Sequence, residues 1–178
     1  MENIIIRKAR EEEFEAVRQF YHAVTDDMRS YDYDIGWEKD VYPSPSFLSA
    51  SISNGELFVA VVNEEIVAAM VVNHECNEGY QKVNWKQALN NGQFTVIHAL
   101  CVATKMSGHG IAKAMVRHAI DYSRQMGMKA VRLDVFEGDV SASHLYQSQG
   151  FIYQGSTAMY YPDTGWTNFD LFEYPIAY

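Results

Sequence analysis

The chain has 178 residues, 48% of them hydrophobic, and a formal net charge of −9. That is long enough for one domain with a real core and too apolar for a disordered chain. The negative charge argues against nucleic-acid binding through a basic face, and where it does more than keep the protein soluble it favours a cationic partner.

The longest apolar runs, Leu57–Val62 and Ile66–Val72, fall far short of a membrane span of ~20 residues. The opening Met-Glu-Asn-Ile-Ile-Ile-Arg lacks the charge-then-apolar layout of a signal peptide. Cys76 and Cys101 show no metal spacing, and Cys101 reads as a buried, inert thiol. The expectation is a cytoplasmic protein, with no membrane, metal or nucleic-acid partner.

Asn3–Lys8 reads as a first strand, followed by a helix from about 11 to 29. Glu11–Glu13 place acids in that helix's first turn, and Phe14, Val17, Tyr21, Val24 and Met28 make its apolar stripe. Ser30–Pro45 is rich in aromatics and acids, with Pro43 and Pro45 bracketing a turn. Ser46–Asn54 is a short helix closed by Gly55. Glu56–Val62 and Glu65–Asn73 are strands of a hairpin turned at Asn63-Glu64. Glu75–Gln93 is a polar loop, with any helical turn placed at Trp85–Leu89.

Phe94–Val102 is a buried strand in which His98 is the one titratable imidazole. After Ser107-Gly108-His109-Gly110 a helical pattern begins at once, with Ile111, Met115, His118, Ala119, Tyr122 and Met126 at helical spacing, ending at Gly127. Ala130–Phe136 is the next strand, and Val140–Gln149 a helix stopped by Gly150. Phe151–Tyr161 and Trp166–Tyr174 are strands joined by Pro162-Asp163-Thr164-Gly165. The order predicts one domain over residues 1–178: an α/β (α+β) fold with a mixed sheet, helices on both faces and a parallel β-α-β unit over 94–136.

Strand, glycine loop and helix start make an anion site. The first helical turn has unpaired N–H groups, its dipole favours negative charge, and glycines let a phosphate approach. No Walker loop is present. A dinucleotide fingerprint fails too, because Lys113 stands where the third glycine belongs and Asp134 falls inside its strand.

Val102, Gly110-Ile111-Ala112, the strand Val131–Val135 and then Leu145-Tyr146-Gln147-Ser148-Gln149-Gly150-Phe151 follow one another in order. This set resembles the GNAT superfamily of acyl-CoA-dependent N-acetyltransferases, closely over 94–156 and in element order before that. Ser107 replaces the family's usual Arg or Gln, and Asp139 stands where Asn is common. The resemblance implies a mostly antiparallel sheet of six or seven strands and acetyl-CoA as cosubstrate. It places the cofactor on Leu100, Cys101, Val102, Ser107, Gly108, His109, Gly110, Ile111, Ala112, Lys113, Asp139, Ala142 and Tyr146. The implied activity is acetyl transfer to a primary amine, of a small molecule or peptide, by direct attack in a ternary complex. The alternative is a non-catalytic CoA-binding sensor, which the Ser107 and Asp139 departures would suit.

A lysine-like amine is neutral in only about one part in 10³ at pH 7, a penalty of roughly 4–5 kcal/mol. A base therefore helps. His98 is the candidate, since His-Ala-Leu-Cys-Val resembles the arylalkylamine N-acetyltransferase strand, whose histidine serves as a base. Glu75 is the alternative, and a core histidine bonded to a carbonyl is the structural reading. Alternation places Val96, His98, Leu100 and Val102 on one strand face, with Cys101 away from it. The resemblance implies the Leu100 N–H as oxyanion donor and Tyr146 as the acid for the leaving thiolate. Tyr31, Asp34, Trp37, Glu38 and Tyr42, with Tyr160, Tyr161 and Trp166 beyond, suit a cationic acceptor. The rival reading is that some of these aromatics simply pack the core or a homodimer contact.

Overall fold

The structure is a computed structural model that describes residues 3–30 and 36–177. Its seven strands are β1 (Ile5–Lys8), β2 (Leu57–Val62), β3 (Glu65–Asn73), β4 (Phe94–Val102), β5 (Ala130–Phe136), β6 (Ile152–Tyr161) and β7 (Gly165–Pro175). The helices are α1 (Phe14–Ser30), α2 (Pro45–Ser53), α3 (Ile111–Gln125) and α4 (Val140–Ser148). The sheet order is β1-β2-β3-β4-β5-β7-β6, mostly antiparallel with β4–β5 parallel. The chain divides into two compact units, Met1–Val72 with His98–Met115, and Asn73–Ile97 with Val116–Tyr178. No helix among the described residues is long and apolar enough to cross a membrane.

In the first unit, β2 pairs antiparallel with β1 and with β3. Asn63 and Glu64 both have positive φ, 48° and 66°, as a two-residue hairpin turn with the sheet's twist requires. From the expected stripe of α1, Val17, Tyr21 and Val24 are buried, while Phe14 and Met28 pack at the margin of the same core. That core also takes Leu48 and Ile52 of α2 and Leu57, Val59, Ala69 and Val71 of the strands. Glu11–Glu13 form a separate 3-10 turn ahead of α1. Glu13 reaches back to the Arg10 N–H at 2.8 Å and takes a two-pronged bond from Arg7, which holds its carboxyl down at about 2.

α2 starts one residue before the expected Ser46. Ser44 is the cap, accepting the Phe47 N–H, and Pro45 fills the first helical position, where its missing N–H costs nothing. Pro45 therefore opens a helix as well as closing a turn.

In the second unit, the first residues of β4 lie parallel to β5, Phe94 opposite Ala130 and Val96 opposite Arg132. β7 pairs antiparallel with β5 and β6. The Thr95 hydroxyl meets that of Ser123 on α3 at 2.6 Å. The helical turn of the 74–93 segment lies at Glu78–Lys82 rather than at Trp85–Leu89. Asn77 caps it by accepting the Gly79 N–H, and Trp85 is instead used as a side chain, its indole N–H donating to Tyr80 O at 2.7 Å. Gly79 is a packing glycine: a Cβ there would fall 2.7 Å from Met159 Sδ and closer still to its Cγ. Met159 is fully buried, so its side chain must shift against packed neighbours to make room. Gly79→Ala should therefore cost about 1–3 kcal/mol, read as a lower urea midpoint with an unchanged slope.

Candidate active site

In the first unit the site elements are the second half of β4, the loop after it and the start of α3. Ala99 has φ 51°, a left-handed conformation that a non-glycine residue adopts at a cost. The Tyr21 hydroxyl on α1 donates to Ala99 O at 2.8 Å, and Tyr21 is 2% exposed. The kink is thus bonded where it occurs. From His98 onward burial alternates: His98, Leu100 and Val102 are half-buried, Ala99 and Cys101 buried. Burial pushes the Cys101 thiol far above its ordinary value, as an inert core cysteine requires.

The His98 ring meets Phe47 edge-on at 6.2 Å. Phe47 stacks on Tyr42 at 6.5 Å, Tyr42 meets Trp37 at 5.5 Å, and Trp37 meets Tyr21 at 6.1 Å. Two of the expected acceptor residues, Trp37 and Tyr42, therefore form one row of rings with the candidate base. Glu38 is exposed, and its backbone carbonyl accepts the Val41 and Tyr42 N–H groups. Tyr31 and Asp34 lie outside the described residues.

After β4, Ala103 N–H donates to Val67 O and Thr104–Met106 make a 3-10 turn. Gly108 and Gly110 have φ 81° and 77°. Gly110 O accepts the Ala114 N–H, so Gly110 opens α3 and the amides of Ile111, Ala112 and Lys113 are its first-turn donors. Ser107 to Gly110 are all exposed, and a Cβ at either glycine would meet nothing within 4 Å. The space in front of these donors is open. That arrangement fits a phosphate-sized anion held by backbone N–H groups and the helix dipole.

In the second unit, Asp139 caps α4, its carboxylate accepting the Ala142 N–H at 2.8 Å. Two residues expected at the cofactor are thus bonded to each other. Tyr146 is 8% exposed and its ring meets Phe151 at 5.6 Å. Gly150, φ 96°, ends the helix, and a Cβ on it would come 3.1 Å from the Tyr174 ring. The spacing Tyr-x-x-x-Gly-Phe is therefore a helix-end device that seats the tyrosine on the phenylalanine. Glu75 is exposed and Asn73 Oδ1 accepts its N–H.

The sequence reading missed Asp134 and Tyr80. Asp134 Oδ2 accepts the hydroxyls of Tyr80 and Tyr161 at 2.8 and 2.9 Å. Only Tyr161 of these was expected near an acceptor. Burial raises the Asp134 carboxyl, and the two phenol bonds pull it back. The signal was present as alternation: Ala130, Arg132, Asp134 and Phe136 share one strand face.

A kinked strand, an open glycine loop and a helix start thus follow one another on an α/β sheet, with backbone donors facing open space. The family model for the acetyltransferase (GNAT) family matches residues 6–151, and the chain belongs to that family. Over 80 residues it is 31% identical to streptothricin acetyltransferase of Streptomyces lavendulae, covering 45% of this chain and 39% of that one. The matches to curated relatives span only 23% and 39% of those proteins' lengths. A GNAT-family acetyltransferase from Streptococcus agalactiae superposes with a TM-score of 0.78 at 19% identity, covering 98% of this chain and 96% of that one. Arabidopsis thaliana NAA60 in complex with acetyl-CoA does so at 0.69 and 19% identity, covering 98% and 100%.

Proposed function

We propose that the protein transfers an acetyl group from acetyl-CoA to a primary amine by direct attack. The observation that carries this reading is the open glycine cradle at the start of α3. In it, the N–H groups from Ser107 to Lys113 would hold the cofactor's diphosphate. Acetyl-CoA supplies the activated thioester, and the chain supplies position, donors and a base. The acetyl-CoA complex of NAA60 and the likeness to streptothricin acetyltransferase support the same donor and the same transferred group.

The Ala103 N–H is used on β3, so strand alternation turns the Leu100 and Val102 amides to the other edge. There they are suited to pair with the amides of the cofactor's arm, as an added strand would. In a trans peptide, C=O and the next N–H point in opposite directions. Tyr21, by holding Ala99 O, therefore fixes the Leu100 N–H pointing away from itself. A donor fixed before reaction is what a developing oxyanion needs. His98, at the end of the ring row, is the proposed base. Tyr146 is the proposed acid, supported by its motif and its buried seat. The attacking nitrogen bonds to the acetyl carbon, the C–S bond breaks, and the thiolate takes the Tyr146 proton.

The test is an amine panel with acetyl-CoA and detection of free thiol. Release of CoA that depends on the amine is expected. No release with any amine, together with no acetyl-CoA binding by calorimetry, would overturn the reading.

A further inference from the structure

The side chains over one face of β5 include two carboxylates, and among the described residues only one has a cation. Glu173 is 2% exposed, and Arg132 Nε donates to its Oε2 at 2.8 Å. Gln87 Nε2 donates to its other oxygen at 3.2 Å. The guanidinium is committed there: Nη2 donates to Gln87 O, and the group lies 4.0 Å from the Trp85 ring centre and 4.2 Å from that of Phe94. Asp134, two residues on and on the same face, receives no share of it. Both phenols bond to its Oδ2, while Oδ1 has no hydrogen bond and the carboxyl no cation among the described residues.

An ionised carboxylate set among rings without a counter-ion is costly. Two phenols offset part of that cost. Burial pushes the Tyr80 phenol well above its ordinary value, so it stays a donor. Both phenols spend their hydrogens on Asp134. Tyr161 is backed by Phe169 at 5.1 Å and Tyr80 by Trp85 at 5.5 Å. The free carboxylate oxygen is an acceptor only, set beside phenols that already spend their hydrogens on Asp134, and an ammonium, with donors and a charge, is its complement. A metal ion suits them poorly, since a lone carboxylate with two protonated phenols supplies too few hard ligands. Among the described residues no group of three His, Cys, Asp or Glu could hold one.

We propose that Asp134, with Tyr80 and Tyr161, binds an ammonium group of the acceptor amine. This rests on the acetyltransferase reading and adds to it the group that holds the amine, which favours an N–H-bearing ammonium over a quaternary one because the open carboxylate oxygen takes a hydrogen bond.

The test is a carboxyl-carbon NMR titration of the Asp134 side chain in the intact protein without acetyl-CoA, against butylammonium and tetramethylammonium chloride. Butylammonium should lower the Asp134 pKa, because a neighbouring cation favours the carboxylate. Tetramethylammonium should lower it much less. Equal shifts, or none, overturn the proposal. Asp134→Asn should raise KM for the amine by about 10- to 100-fold with acetyl-CoA affinity unchanged. An unchanged KM also overturns it. Should that variant fail to fold, Tyr161→Phe serves in its place. It removes one donor, so it should raise the Asp134 pKa and weaken the butylammonium response, and an unaltered titration overturns the proposal. The titration reads binding without turnover, so an inactive amine panel with no acetyl-CoA binding would sink the acetyltransferase reading, while a positive titration would leave this ammonium site standing.

Discussion

Arg132→Met should destabilise the protein by about 3–5 kcal/mol, a fall in Tm on the order of 10 °C. The substitution keeps an apolar stem between Trp85 and Phe94 but removes the partner of Glu173, which is almost fully buried. Gln87 alone would remain on that carboxylate. The loss is that of a buried carboxylate left without its counter-ion. Adding Glu173→Leu to Arg132→Met should recover most of it, because an apolar pair in place of the ions removes both desolvation costs. Denaturant titrations of the single and double variants at pH 7 check both statements. A single variant as stable as the native protein at pH 7 would show that the pair contributes nothing.

The same ion pair shows where the sequence could and could not be read. Elements with a strong period were legible: the α1 stripe, the Asn63-Glu64 hairpin and the strand–loop–helix around Gly108 and Gly110 all lie where the pattern places them. Ala130-Val131-Arg132-Leu133-Asp134-Val135-Phe136 alternates like a strand with one wet face. The polar face is not wet, because the segment after β3 lays Tyr80, Trp85 and Leu89 over it. That cover comes from a stretch with no period of its own, held by Asn77, by the Trp85 indole and by Gln154 on the Lys86 N–H. Long-range single bonds of this kind leave no trace in local sequence. The Ala99 kink is similar: nothing in His-Ala-Leu-Cys-Val announces a positive φ, and the hydroxyl that holds it comes from Tyr21, 78 positions away. Alternation read from Val96 through to Val102 took no account of that break.

Tyr146→Phe should lower kcat by about 10²-fold or more while leaving acetyl-CoA affinity unchanged, if the phenol protonates the leaving thiolate. The variant is a clean one, because the ring does the packing and only the hydroxyl leaves. Phenylalanine keeps the edge contact with Phe151, and the Phe151 N–H still donates to the residue-146 carbonyl, as it does at 3.1 Å now. Stability should change by no more than about 1 kcal/mol. A fall in kcat with an intact melting curve and intact CoA binding by calorimetry assigns the effect to the proton. Unchanged kcat would remove Tyr146 from the chemistry. Gly150→Ala separates the hydroxyl from its placement. The new methyl would sit against the Tyr174 ring, on a backbone at φ 96° that alanine disfavours, at the turn that seats Tyr146 on Phe151. That variant keeps the phenol and moves it, so kcat and stability should fall together. Loss of kcat alone in one variant, and of both in the other, is the pattern expected of an acid whose position is set by the end of its helix.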